Sequence, residues 1–257
     1  MTHGRATPSI AMHLEDPHFP PLLEGHAVKA PAKPFAHACR LARAGKLGAG
    51  DVVWSRNTAR AELAIVLEPE VALERALQMG PLLMVALGDC LGSLCPPKVA
   101  IQYRWPRGIL LNGALAGEVR LAGPRVPATE IPAWLVVGAE LDIAAPRQDR
   151  QEWSRTSLSE EAGPDITRTD ILQSLSAHVL TWLNTWQEEG FRPVHDQWLF
   201  RAEGREEPTA VAHRSETIEG QVLGLDESAN LLLKTTAGKV HCLAFIDSAD
   251  LIEPHAP

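Results

Sequence analysis

Hydrophobic residues recur every three or four positions in three parts of the chain, and this spacing predicts helices. The predicted helices cover residues 35–45, 71–94 and 167–190. Pro81 lies inside the second helix, which should be kinked or interrupted there because proline removes a backbone hydrogen bond. The third helix begins at the capping box that runs from Thr167 to Asp170 and ends at Gly190.

Shorter runs of β-favouring residues predict strands between these helices. The runs are DVVWS (51–55), LAIVLEP (63–69) and AWLVVGAELDI (133–143). VAIQYRWPRGILLNGALAGEVRL (99–121) predicts a strand, a tight Trp-Pro corner and two strands joined by Asn-Gly, the strongest short-range hairpin signal. Hairpin-paired strands with helices gathered on one face give an α+β fold, in which a mixed or antiparallel sheet packs with helices.

The chain is predicted to have three parts. Residues 1–34 contain many prolines and histidines without a sustained period and should be irregular. Residues 35–200 form the α+β domain. From Glu203 onward, short β-favouring segments alternate with turn clusters, which predicts a small SH3-like barrel over residues 203–257.

Composition and charge narrow the class of protein. The 257 residues are 45% hydrophobic with a formal net charge of −8, which indicates an acidic globular protein and argues against a nucleic-acid partner. No secretory signal opens the chain, and the longest apolar run, Leu82 to Leu87, is far shorter than the ~20 residues that span a bilayer. We therefore expect a cytoplasmic protein with no membrane partner.

The cysteines and histidines show no metal-ligand spacing, so we expect no metal site. The four cysteines are interpreted as reduced and mostly buried thiols. Cys90 and Cys95 leave an alternative open, namely a nucleophile for a thioester mechanism.

Several short motifs follow one another in a recognisable order: x-W-P at the corner, L-A-G in the hairpin, V-G-x-x-L-D in a strand, then E-G-F-x-P-x-x-x-x-W and the predicted barrel. This order, over residues 35–253, resembles the biotin protein ligases of the biotin/lipoate protein ligase superfamily. The resemblance implies an enzyme that joins biotin to ATP and then transfers the biotin to a lysine of a carrier protein. Biotin or a related acid, ATP and Mg would be its ligands, and a small carboxylic acid and a carrier protein its partners.

Such chemistry brings a carboxylate against a phosphate, so the site needs fixed cations and backbone donors where negative charge builds up. The resemblance implies Arg104 as the catalytic cation, in the position of the lysine in the family's KWPND motif. It implies nine ligand-binding residues: Arg56, Arg60, Trp105, Arg107, Leu115, Ala116, Gly117, Gly138 and Asp142.

Several motifs depart from the family's pattern. WSRNTARAE, in the place of the loop GRGRxGR, has no glycine, so its amides cannot easily surround a pyrophosphate. Arg107 and Gly108 replace the asparagine and aspartate of KWPND. Ala114 stands where a lysine is usual, and Asp142 where the family has asparagine.

These departures leave two hypotheses about function. The first is a ligase-like protein that binds a biotin-sized or acyl carboxylic acid, with ATP if it is active. The second is a catalytically degenerate module that senses a small acid or docks a carrier protein. The sequence shows no DNA-binding helix-turn-helix and does not decide whether the molecule dimerises.

Glu140 and Asp142 stand two apart on a predicted strand and should point to the same face. They could form a catalytic carboxylate pair. The competing interpretation is an edge or rim position in which both carboxylates lie in water.

Overall fold

A computed structural model describes residues 15–144 and 154–252 of the chain. The helices are α1 (Pro34–Arg43), α2 (Leu73–Ala76), α3 (Met79–Leu94), α4 (Leu158–Glu161), α5 (Arg168–Glu189) and α6 (Arg192–Arg201). The strands are β1 (Glu24–Val28), β2 (Asp51–Ser55), β3 (Arg60–Leu67), β4 (Ile101–Arg104), β5 (Gly108–Leu111), β6 (Ala114–Pro124), β7 (Leu135–Asp142), β8 (Thr209–His213), β9 (Glu216–Leu225), β10 (Leu231–Lys234), β11 (Val240–Leu243) and β12 (Asp250–Ile252).

Seven strands form the large sheet in the order β1-β2-β3-β7-β6-β5-β4, and β12 adds an eighth beside β6. The pairs β1–β2 and β6–β12 are parallel, whereas the pairs between β2 and β4 along this path are antiparallel. This mixed sheet packed with helices confirms the predicted fold class. The hairpin at Asn112-Gly113 is also confirmed, since both residues adopt positive φ between β5 and β6.

Helices cover both faces of the sheet, so the prediction that they gather on one face is wrong. Helices α3 and α5 pack on one face over the larger hydrophobic core, while α1 packs on the other face over a smaller one. Twelve of the sixteen residues of α3 are buried, and Pro81 lies in its first turn, shortly after the break at Leu77 and Gln78. The segment Leu73–Leu94 is long and apolar enough to cross a membrane, but 78% of its most apolar window is buried, as in a core helix.

The C-terminal strands form a separate four-stranded antiparallel sheet in the order β11-β10-β9-β8. Its apolar side chains join the larger core of the α+β domain rather than a core of their own. Strand β12 (Asp250–Ile252) lies within the predicted C-terminal segment but pairs with β6 of the large sheet. The closure of these strands into an SH3-like barrel stays a prediction.

The prediction that residues 1–34 are irregular is wrong for Glu24–Val28, which pairs with β2. Its polar and small residues gave no clear alternation. Helix α6 was also missed, because Pro193 in EGFRPVHDQW resembles a turn signal although proline is well tolerated in a first helical turn.

Candidate functional site on the central strands

Five charged side chains lie together on the side of the sheet that carries α1, and we call them the charged face. They are Arg60 and Glu62 on β3, Glu118 on β6, and Glu140 and Asp142 on β7. Residues directly opposite each other in an antiparallel pair point to the same side of a sheet. Arg60 lies opposite Asp142, and Glu140 lies opposite both Glu62 and Glu118, so three glutamates form one row across three strands.

Arg60 binds three carboxylates of this face. Its Nε donates to Asp142 Oδ1 at 2.8 Å, its Nη2 lies 3.3 Å from Glu140 Oε2, and its Nη1 donates to Glu62 Oε1 at 3.5 Å. The side chain of Glu62 is only 3% exposed, and Lys33 Nζ donates to it at 2.8 Å. The row of glutamates is therefore held by cations, since three adjacent carboxylates would otherwise repel one another.

Three cations form the outer rim of the charged face. Arg155 Nη2 lies 3.3 Å from Asp142 Oδ2, and Arg107 Nε lies 3.4 Å from Glu118 Oε2. The side chains of both arginines and of Lys33 are about half exposed. Four cations thus balance four carboxylates, with the carboxylates nearer the sheet and the rim cations nearer the solvent.

The competing interpretation placed Glu140 and Asp142 at the edge of the sheet with both carboxylates in water, and it is wrong. Strand β7 is internal, between β3 and β6, and both carboxylates are less than a quarter exposed. Arg60 explains the difference, because its guanidinium replaces water around both groups.

The two predicted site glycines are required by close packing. A Cβ at Gly138 would lie 2.5 Å from Phe35 of α1, and a Cβ at Gly117 would lie 2.4 Å from the Glu140 carbonyl oxygen. The backbone of Leu115 is also engaged, since its N–H donates to Ser154 and its carbonyl accepts from Thr156. Ala116 beside it is buried.

The Trp-Pro corner faces the C-terminal sheet. Arg104 donates from Nε and Nη2 to the two carboxylate oxygens of Glu203 at 2.6 and 2.7 Å, and this pairing raises the pKa of Arg104. Trp105 is 7% exposed and packs against the rings of His213 and Phe245, at centroid distances of 5.9 and 6.4 Å. The predicted ligand contact, Trp105, therefore joins the two sheets, and the predicted catalytic cation, Arg104, binds the segment that leads into the C-terminal sheet.

The structure divides the predicted site residues into three places. Arg60, Arg107, Gly117, Gly138 and Asp142 lie on or beside the charged face, whereas Arg104 contacts Glu203 in the segment before β8 and Trp105 contacts His213 of the C-terminal sheet. Arg56 pairs with Asp16 and lies over Trp54. Sequence reasoning missed four members of the charged face and its rim, namely Lys33, Glu62, Glu118 and Arg155. The alternating charges of R-A-E (60–62) and E-L-D (140–142) were the available signal.

The described residues contain one group with metal-ligand geometry, formed by Glu24, His26 and Asp51 at the β1–β2 edge. His26 Nε2 and Asp51 Oδ1 lie 2.6 Å apart and pair with each other. Spacing along the sequence gave no sign of this group, because the residues come from two strands.

The cysteines differ widely in their surroundings. Cys39 and Cys90 are buried, and burial raises the pKa of each thiol to about 12. Burial also raises the pKa of Cys95. A thiol with so high a pKa carries almost no thiolate at neutral pH, which argues against the thioester alternative at Cys90.

We expect a thiol reagent at pH 8 to modify Cys242 first in the folded protein, because Cys242 is the exposed one among the four. Cys39 and Cys90 should react only when the protein unfolds. Mass spectrometry of timed samples in the absence and presence of urea would check this order. Rapid modification of Cys90 in the folded protein would revive the thioester alternative.

Residues 19–200 match the model of the Biotin/lipoate A/B protein ligase family. The chain belongs to this family. The match includes β1 and ends inside α6, so the family domain begins earlier than the predicted residue 35.

Three relatives illustrate the similarity. The Biotin--[acetyl-CoA-carboxylase] ligase of Paracoccus denitrificans is 29% identical over 183 residues, which cover 68% of this chain and 74% of the relative. A biotin protein ligase-like protein of unknown function from Silicibacter sp. TM1040 is 32% identical, covers 91% of this chain and 99% of its own, and superposes with a TM-score of 0.82.

The third relative is the biotin protein ligase from Aquifex aeolicus in complex with biotin and ATP. It is 14% identical, covers 84% of this chain and 94% of its own, and has a TM-score of 0.67. At this identity the likeness concerns the fold alone.

Proposed function

We propose that this chain binds a biotin-sized or acyl carboxylic acid at the charged face and has lost the family's standard ATP-dependent adenylation. One observation carries the proposal. Each of the four arginines that the sequence offers for anion binding is already paired with a carboxylate of the chain. The pairs are Arg56–Asp16, Arg60–Asp142, Arg104–Glu203 and Arg107–Glu118.

Charge balance explains why adenylation is disfavoured. The phosphates of ATP carry several negative charges and need a site with an excess of fixed positive charge. The charged face and its rim have no excess positive charge, because four cations are already paired with four carboxylates. The carboxylates are also held by cations rather than free, so this face does not fit Mg, and we assign no step to it.

A single carboxylate is an easier ligand for the rim. Ion pairs between exposed side chains contribute only about 0 to 1 kcal/mol, so Arg107 or Arg155 can exchange its partner at little cost. Each is about half exposed and holds its present carboxylate at more than 3.2 Å. Arg60 is buried deeper and keeps the rest of the face in place.

The second candidate is an active ligase that forms an acyl-adenylate and transfers the acyl group to a lysine of a carrier protein. The curated relative from Paracoccus denitrificans, named for this kind of activity, and the biotin and ATP in the Aquifex structure favour it. Under either candidate we propose a cytoplasmic location, with the acid and a carrier protein as partners.

Thermal unfolding with biotin, lipoate or octanoate, each with and without ATP and Mg, tests the proposal. At about 100 times its dissociation constant an acid should add roughly 2.7 kcal/mol of stability without any requirement for ATP. Arg107→Ala should weaken the effect, whereas Arg192→Ala, an 88% exposed arginine on α6, serves as the matched control.

ATP–pyrophosphate exchange, measured in the same samples, separates the two candidates. The proposal predicts no acid-dependent exchange, while the active ligase predicts exchange with at least one acid. If no acid stabilises the protein and no exchange occurs, acid binding at this face is wrong.

A further inference from the structure

A short N-terminal segment lies across the edge of the large sheet, on the face that α5 covers. We call residues 15–19 the strap. It is tied to the first turns of α5, because Thr169 Oγ1 donates to the Glu15 carbonyl oxygen at 2.8 Å and His18 N donates to Gln173 Oε1 at 2.8 Å. The strap therefore has a defined position over the start of α5.

Beneath the strap, two guanidinium groups lie over one indole ring. Arg56 Cζ lies 5.2 Å and Arg168 Cζ lies 5.1 Å from the centroid of Trp54. Asp16 of the strap accepts two hydrogen bonds from Arg56, one from Nε at 2.9 Å and one from Nη2. Arg56 and Asp16 are both about half exposed, so this pair can open without unfolding the domain.

Arg168 is the unusual member of this group. It is 2% exposed, and among the described residues its Nε finds no acceptor, while its Nη2 donates to the Glu15 carbonyl oxygen at 3.1 Å. Burial lowers the pKa of Arg168, the nearby Asp16 opposes this effect, and Arg56 adds to it. The carboxylate of Asp16 thus acts on both guanidinium groups.

Several physical effects disfavour a cation at this position. Arg168 is the first residue of α5, where the helix dipole favours negative charge. It is desolvated, lies near a second guanidinium and keeps an unsatisfied N–H donor. A residue whose charge and hydrogen bonding are unfavourable in its local surroundings, and not fully compensated there, is typical of a binding site. An anion bound by both Arg56 and Arg168 would relieve these costs together.

We propose that Arg56 and Arg168, which both lie over the ring of Trp54, form a site for an oxyanion of a small ligand, and that Asp16 occupies this site from within the chain. A groove of about 660 Å³ beside it would hold the rest of the ligand, and its lining includes Pro17, Phe19, Trp54, Arg56 and the acidic residues Asp16 and Glu24. This volume is typical of ligand sites. Trp54 points away from the charged face, so the site does not depend on the function proposed above.

The test uses the full chain and its Asp16→Asn variant, which keeps the side-chain shape and removes the charge. Inorganic phosphate and acetate are titrated separately at constant ionic strength, and the Arg56 Nε–H and Trp54 indole N–H signals are followed by NMR. We expect saturable shifts, with an apparent dissociation constant about fivefold lower in Asp16→Asn, because the internal competitor is gone.

Two further variants make the result specific. Asp196→Asn changes the net charge equally at a distant exposed position and should leave the dissociation constant unchanged. Arg56→Ala, added to Asp16→Asn, should abolish the gain. Tighter binding of phosphate or of acetate identifies which oxyanion the site prefers. Equal affinities in the wild type, Asp16→Asn and Asp196→Asn, or shifts that never saturate, would overturn the proposal.

Discussion

Replacing Arg60 by alanine should lower the free energy of unfolding by about 3 kcal/mol, the lower end of the range for breaking a buried ion pair. Arg60 is 29% exposed and is shared by Asp142, Glu140 and Glu62. Without its guanidinium these carboxylates would face one another across the central strands. Glu62 would keep Lys33, but Glu140 and Asp142 would lose their deepest cation. Urea unfolding at pH 7 measures the change.

A matched substitution separates this effect from the loss of any arginine. Arg192→Ala removes an exposed arginine whose partner Asp196 lies 3.8 Å away, and it should cost less than about 0.5 kcal/mol. Adding Asp142→Asn to Arg60→Ala should recover part of the loss, because it removes one unpaired carboxylate. If Arg60→Ala is as mild as Arg192→Ala, the charged face is not held by Arg60.

The local parts of the fold could be predicted because each rests on neighbouring residues. Asn112-Gly113 specifies a hairpin turn, and the Thr167–Asp170 capping box fixes the start of α5. Strand β1 could not be predicted in the same way. It depends on pairing with β2, which lies more than twenty residues further along the chain, and its own residues carry little hydrophobic alternation.

The sequence indicated which strands carry the candidate site, but not which side chains pair with one another there. The resemblance pointed to the strands that carry Arg60 and Asp142, which the register then placed opposite each other although 82 residues separate them. It gave no information about which carboxylates would pair with the arginines. Asp16 and Glu203 come from segments outside the motifs, so their contacts follow only from the three-dimensional fold.

Those contacts change how the Trp-Pro corner is interpreted. A corner that held a ligand would expose Arg104 and Trp105 to the charged face. Here Glu203, His213 and Phe245 occupy the surroundings of these two residues, so the corner connects the two sheets. The distinction can be tested, because a ligand contact and a packing contact respond differently to substitution.

Replacing Trp105 by alanine should lower the free energy of unfolding by about 4 kcal/mol, as expected when a large buried side chain is removed and the space is only partly refilled. The indole packs between the α+β domain and the C-terminal sheet, so both should loosen. Urea unfolding measures the stability, and limited proteolysis in the segment 203–208 reports on the junction between the sheets.

Trp105→Phe is the matched control and should cost less than about 1.5 kcal/mol, because it keeps an aromatic ring in the same place. Among the described residues the Trp105 Nε1–H has no acceptor, so losing this donor carries no penalty. If Trp105→Ala remains within about 1 kcal/mol of the wild type but no longer binds the acid, Trp105 contacts the ligand, as its place in the family's motif implies.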